Sequence, residues 1–273
     1  MKKYYLIMLL MISFFPRIVI SEKLIEIYDA HIHYNQDMWG SLSVKDAVEL
    51  LTEQNIQRVL VSATPTQGAE MFYRQAPEFV IPMLRPYASW RHRYFWFKDP
   101  ELKSYLIKQL KKVPYKGIGE FHVFGKDADT LQIEQMISLA QQYKLVLHAH
   151  TDLEAMRILL NKAKGLVVIW AHGGEDVDET YLQQFLQKYP NFYIELSRRQ
   201  GMLDGNDDLT ADWKHLLIKY QKRFLLGTDT YKPSVWTELP EITEETRYWL
   251  NQLPDDVILD ITKNNFTRLF PKQ

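Results

Sequence analysis

Eight short apolar runs, each followed by an amphipathic stretch of helical period, constrain this chain more than any single motif. In order they read "IEIYDAHIH", "QRVLVSA", "FVIPMLRPY", "KGIGEFHV", "KLVLHAH", "GLVVIWAHG", "NFYIELS" and "RFLLGTDT". Each is too continuously apolar to leave one sheet face in water, which predicts parallel strands covered by helices. The intervening patterns carry helix start signals: "SVKDAVELLTEQN" has Ser43 as N-cap, and "DPELKSYLIKQLKKV" has Asp99 as cap with Pro100 in the first turn. Four more follow in "DTLQIEQMISLAQQY", "DLEAMRILLNKA", "ETYLQQFLQKY" and "TADWKHLLIKYQ". No Gly/Ser-rich linker or low-complexity tract interrupts the series, so it reads as one domain. Eight β/α units in about 250 residues fit a closed α/β (β/α)8 TIM barrel. A doubly wound sheet normally uses about five or six strands and a glycine-rich phosphate loop, and no G-x-G-x-x-G follows the first strand here.

Composition narrows the chemistry. The 273 residues are 46% hydrophobic and 25% charged, enough for a sizeable core. A net charge of -1 with no long basic run gives no footing to nucleic acid, and a small-molecule substrate is the expected partner. The lack of cysteine removes thiol nucleophiles, disulfides and zinc ribbons, leaving histidine and carboxylate as ligands for a transition metal. Whether the chain forms a homo-oligomer is left open. The opening "MKKYYLIMLLMISFFPRIVIS" has basic Lys2 and Lys3, an apolar stretch from Tyr4 to Phe15, and Val19 and Ser21 placed as before a signal-peptidase cut. That stretch is short of the roughly 20 residues that span a bilayer, so residues 1–21 are read as a secretory signal. This predicts an exported protein without stable membrane anchoring and a mature barrel domain over residues 22–273. Removing the signal takes away three positive charges and leaves 30 basic against 34 acidic residues.

Polar groups collect at the ends of the predicted strands. In "YDAHIHYN" two histidines are separated by one residue. Side chains two apart on a strand share a face about 7 Å apart, so His31 and His33 can turn toward one ion. The fourth strand ends with Glu120 and His122, the fifth with His148 and His150, the sixth with His172 and the eighth with Asp229. Six of the eight histidines fall at such ends, where a barrel builds its active site, and the cluster predicts a metal centre.

The order His-x-His on strand one, an acid on strand four, histidines on strands five and six, and Asp on strand eight resembles the amidohydrolase superfamily of metal-dependent barrels. The motifs "DAHIH", "GIGE", "LHAH", "WAHGG" and "GTDTY" look most like its compact amidohydrolase-related branch, and the match covers essentially the mature chain. The resemblance implies one or two divalent ions, of the Zn²⁺ class, held by His31, His33, Glu120, His148, His172 and Asp229. It favours His148 over His150, because an apolar run is followed at once by the ligand histidine. His150 and His122 then contact substrate or support the ligands. The family's strand-four lysine has no counterpart at the right height, since Lys116 lies roughly 13 Å below Glu120. Asp229 resembles the superfamily's proton-accepting aspartate, while His172 would hold a second ion or polarise the substrate carbonyl. The implied reaction is hydrolysis of a C–O or C–N bond; the alternative is metal-dependent decarboxylation of a small carboxylic acid. A non-catalytic secreted metal-binding protein would have no use for Asp229.

Two arginine-rich segments, "RPYASWRHRYFWF" after strand three and "SRRQG" after strand seven, bring Arg85, Arg91, His92, Arg93, Arg198 and Arg199 near the barrel mouth beside Tyr87, Trp90 and Tyr231. Guanidinium forks capture carboxylate or phosphate, so the expected substrate is a small, partly apolar anion. Arg85 and Arg198, nearest the strand ends, lead as its contacts.

Overall fold

The computed structural model describes residues 24–272. The signal segment expected over residues 1–21 lies outside them. Eight parallel strands follow in chain order: β1 (Ile27–His33), β2 (Ile56–Ser62), β3 (Val80–Leu84), β4 (Gly117–His122), β5 (Val146–His150), β6 (Val168–Trp170), β7 (Phe192–Glu195) and β8 (Phe224–Leu225). The sheet closes on itself through the Ala30 N–H donating to the Leu226 carbonyl and the Asp229 N–H donating to the His31 carbonyl, each at 2.7 Å. The result is the expected (β/α)8 barrel.

Helices α1 (Val44–Glu53), α2 (Gln67–Gln75), α3 (Leu102–Gln109), α4 (Leu131–Tyr143), α5 (Leu153–Lys162), α6 (Glu179–Lys188) and α7 (Ala211–Lys219) fill the crossovers. After β8 come α8 (Pro233–Thr237) and α9 (Leu239–Leu250). Ser43 caps α1 by accepting from the Asp46 N–H, as its sequence position predicts. The cap expected at Asp99 is displaced. Its carboxylate accepts from the Glu101 N–H across a preceding turn, and α3 begins only at Leu102. Among the described residues, no helix is long and apolar enough to cross a membrane.

Alternate residues of each strand face the barrel axis, and their character changes along it. Tyr28, Leu60, Ile81, Met83, Val146, Tyr193 and Leu225 belong to one apolar cluster, which Phe266 and Phe270 complete. Continuing the same alternation upward gives Ser62 and Thr64, Arg85, His148 and His150, Glu195 and Ser197, and Asp229. The lower barrel is therefore oily and the C-terminal end polar, as the placement of an active site in this fold requires.

Candidate metal and active site

Two irregularities in the ladder aim the central residues. The β1–β2 register shifts between Asp29 and Ile32, and the β4–β5 register shifts between Gly119 and Phe121. Each shift adds a residue to one strand and re-aims a side chain, His31 in the first case and Glu120 in the second. Gly119 adopts φ +144°, and a Cβ there would lie 2.3 Å from the His148 carbonyl oxygen. The close approach of β4 to β5 that "GIGE" provides needs glycine. Asp29 ties the opening of β1 to the end of β8 by accepting from the His31 N–H, the Thr228 N–H and the Thr228 hydroxyl.

Four donor atoms converge at the mouth. His31 Nε2 and His33 Nε2 are 3.1 Å apart. Glu120 Oε2 lies 3.6 Å from the first and 3.3 Å from the second. Asp229 Oδ1 lies 3.7 and 3.2 Å from the same two atoms. Adjacent donors bound about 2.1 Å from one zinc-sized ion stand about 3.0 to 3.6 Å apart; four of these spacings fall in that range, and the fifth, His31 to Asp229 at 3.7 Å, lies just beyond it. All four residues are buried.

The other ring nitrogens are held by hydrogen-bond partners. His31 Nδ1 donates to Glu195 Oε2 at 2.8 Å, and His172 Nδ1 donates to the Ser197 carbonyl at 2.9 Å. His33 Nδ1 meets the Ser62 hydroxyl at 2.8 Å and the Arg85 Nη2 donor at 3.2 Å. These bonds orient the Nε2 atoms toward the centre, as carboxylate–histidine–metal arrangements do. Glu195, fully buried, also accepts from the Ser197 hydroxyl and the His172 N–H. Burial opposes its ionisation, but the His31 ring overcomes this and holds its carboxyl at about 2. Burial likewise opposes charge on His31. Glu195, Glu120 and Asp229 outweigh it and raise its pKa well above the usual imidazole value.

Glu120 faces two ways. Its Oε2 accepts from Arg85 Nη2 at 2.7 Å beside the His31–His33 pair, while Oε1 accepts from His150 Nδ1 at 2.9 Å and lies 3.6 Å from His172 Nε2. Burial would raise its pKa, but the surrounding histidines keep it well below the usual carboxylate range. A carboxylate so placed belongs to two candidate ligand groups, one with His31 and His33 and the other with His122 and His150, while His172 groups with His31 and Glu195. His150 also meets Glu175 Oε1 through Nε2 at 3.1 Å, and His122 Nδ1 meets the Tyr87 hydroxyl at 2.9 Å. His148 packs edge-on against His31 with ring centroids 4.6 Å apart. Burial pushes its pKa down to about 3, so it is neutral, and its Nε2 has no hydrogen-bond partner among the described residues. It belongs to none of the clustered candidate ligand groups among the described residues.

The arginines divide. Arg85 is buried and donates to the Glu120 carbonyl, the Thr64 hydroxyl and the Glu120 carboxylate. Arg198 Nε bonds Asp229 Oδ2 at 2.8 Å, with its guanidinium over Tyr231. Both expected substrate contacts therefore grip carboxylates of the site itself. Arg199 bonds the Val177 carbonyl and stacks on Trp213, and His92 pairs with Asp99, which take both away from the centre. Lys116 lines a different cavity with Arg58 and Phe270, far from Glu120 as its sequence position predicts. The mouth itself is a cavity of about 180 Å³ lined by His33, Arg85, Trp90, Arg93, Glu120, His122, His150, His172, Asp229 and Tyr231.

Three site residues, His172, Arg198 and Asp229, have positive φ values of 57°, 52° and 49°. A non-glycine residue held there costs about 1–3 kcal/mol, and such conformations gather where geometry serves function. Sequence reasoning missed Glu195, Ser197, Ser62 and Glu175. For Glu195 a signal existed, a lone acid ending the apolar strand "NFYIELS".

No protein-family model and no curated protein matches the sequence. Solved structures do resemble the fold. One is a Pseudomonas putida protein provisionally assigned as a 2-pyrone-4,6-dicarboxylic acid hydrolase, at 12% identity and TM-score 0.64, over 91% of this chain and 98% of that one. Another is an amidohydrolase from Burkholderia multivorans, at 13% identity and TM-score 0.57, over 91% of this chain and all of that one. A third is amidohydrolase 2 from Bifidobacterium longum subsp. infantis, at 16% identity and TM-score 0.56, with 91% and 100% covered. The chain thus shares its whole barrel fold with solved amidohydrolase structures.

Proposed function

We propose that this protein is a metal-dependent hydrolase of the amidohydrolase superfamily, acting on a C–O or C–N bond of a small organic acid. The observation that carries the reading is the convergence of Glu120 Oε2 and Asp229 Oδ1 on the paired Nε2 atoms of His31 and His33, at 3.2 to 3.7 Å, with the two Nε2 atoms 3.1 Å apart. An ion of the Zn²⁺ class bound there would lower the pKa of water from 15.7 to about 7 and polarise a carbonyl. His148 or His172 would complete its ligands.

The remaining chemistry belongs to the side chains. Asp229 is kept ionised: burial opposes this, but His31 and His33 outweigh it and lower its pKa. It can take the proton of the attacking water as the new C–O bond forms, then return it to the oxygen or nitrogen released when the substrate bond breaks. Arg198 holds the other carboxylate oxygen and so fixes the orientation of the base. His172, fixed by Ser197 through Nδ1, places Nε2 3.6 Å from Glu120 Oε1. The neighbour from Pseudomonas putida supports a substrate class, a cyclic ester bearing carboxylates.

Turnover of a panel of lactones, esters and amides by the metal-loaded protein tests the reading. Asp229→Asn should lower kcat by a factor of about 10² to 10⁴ with much smaller change in substrate affinity. An unchanged kcat would remove Asp229 from the chemistry, and carbon dioxide as product would replace hydrolysis by decarboxylation.

A further inference from the structure

The cleft does not end at the metal cluster. A second cavity, of about 420 Å³, shares Arg93, His122 and His150 with the mouth and continues outward between Tyr94, Phe97 and Phe124. Tyr94 is 69% and Phe124 50% exposed, so two large rings stand in water at its edge. Exposed aromatic surface flanking a cleft is what a flat apolar ligand would cover. Among the described residues the one carboxylate lining this arm, Asp127, is bound to Lys98 at 2.8 Å.

Arg93 stands at the junction of the two cavities. Arg85 and Arg198 are neutralised by Glu120 and Asp229, whereas Arg93 forms no ion pair among the described residues. Its one side-chain hydrogen bond is to the neighbouring Tyr94 hydroxyl, at 2.9 Å. Stacking does the rest of the positioning: its guanidinium lies 5.4 Å from the centroid of Trp90 and 4.9 Å from that of Tyr94. A half-buried guanidinium, held between rings with donors unspent and facing a cleft, is built to receive a planar anion.

We propose that Arg93 is the residue that reads substrate charge, and that the substrate is an aromatic or similarly flat acid. Its ring system lies along Tyr94, Phe97 and Phe124, its carboxylate sits on Arg93, and the bond to be broken lies a few atoms further in, over the His31–His33–Glu120–Asp229 cluster. This assignment rests on the hydrolase reading for the reacting end, while the aromatic arm and Arg93 stand apart from it.

Binding separates the two. Affinities of naphthalene-2-carboxylate and naphthalene-2-carboxamide, measured by calorimetry, compare an anion with a neutral analogue of the same shape. The protein should bind the carboxylate about tenfold more tightly or better, whether metal-loaded or metal-stripped. Arg93→Met should bring the two probes to equal affinity with an unchanged circular dichroism spectrum. Arg93→Lys should retain part of the preference, and Phe124→Ala should weaken both probes alike. Equal affinities in the unaltered protein, a preference that survives Arg93→Met, or no binding of either probe at millimolar concentration would overturn the proposal. So would a preference lost on metal removal but indifferent to Arg93→Met, which places the carboxylate on the ion. Failure to bind metal or to hydrolyse any ester counts against the hydrolase reading alone.

Discussion

At the scale of the residue, His31 links the site to pH. Without metal its ring pairs with Glu195, Glu120 and Asp229, and its pKa stands well above the ordinary imidazole value. At neutral pH the ring is therefore protonated, and an ion must displace that proton to reach Nε2. Metal affinity should accordingly rise with pH by about tenfold per unit below the His31 pKa, with one proton released per ion bound. Titration calorimetry in two buffers of different ionisation enthalpy reads that release directly, and a pH-independent affinity would contradict the pairing. Much of this constellation was legible in the sequence, because strand parity places His31 with His33 and strand ends collect Glu120 and Asp229. Glu195 carried a signal, a lone acid ending an apolar strand, but nothing in the sequence tied it to the His31 ring it holds. The resemblance favours His148 over His150; the two share parity, and their depth relative to Glu120 is set by the register shift at Gly119/Phe121.

At the scale of the element, the bulged ends of β1 and β4 carry the site. Gly119→Ala would drive a Cβ to 2.3 Å from the His148 carbonyl and 2.7 Å from its Cβ, at a φ that alanine disfavours. We expect a loss of at least about 2 kcal/mol in unfolding free energy by denaturant titration, together with reduced metal content in the folded fraction. Normal stability with normal metal content would show that the strand can open without moving Glu120. The helices illustrate what sequence pattern supplies and what it does not. Ser43 marks the start of α1 because its cap is local, whereas Asp99 marks a turn before α3 because the packing of Trp96 and Phe97 in the core comes first.

At the scale of the whole molecule, the barrel is one closed eight-stranded sheet whose polar end depends on charges brought from five strands or their ends: β1, β3, β4, β7 and β8. Metal bound there should stabilise the whole fold. At a free concentration of one hundred times Kd the gain is about 2.7 kcal/mol, which for a domain of this size raises Tm by roughly 5 to 10 °C. Scanning calorimetry with and without chelator checks this, and a Tm indifferent to metal would mean that the ion, if bound, does not report on the native site. The fold itself was legible because eight apolar runs with helical spacers admit few other closures. What no pattern could show is that Arg85 and Arg198 turn inward to carboxylates and leave Arg93 facing the cleft.

The measurement that bears most directly on the metal centre is elemental analysis of the purified protein after equilibration with zinc and removal of excess, beside a His31→Ala/His33→Ala variant of unchanged circular dichroism. The cluster geometry predicts at least about one ion per chain in the unaltered protein and a loss of most of it in the variant. Full occupancy in the variant, or none in the unaltered protein, would contradict the assignment of His31, His33, Glu120 and Asp229 as a metal site.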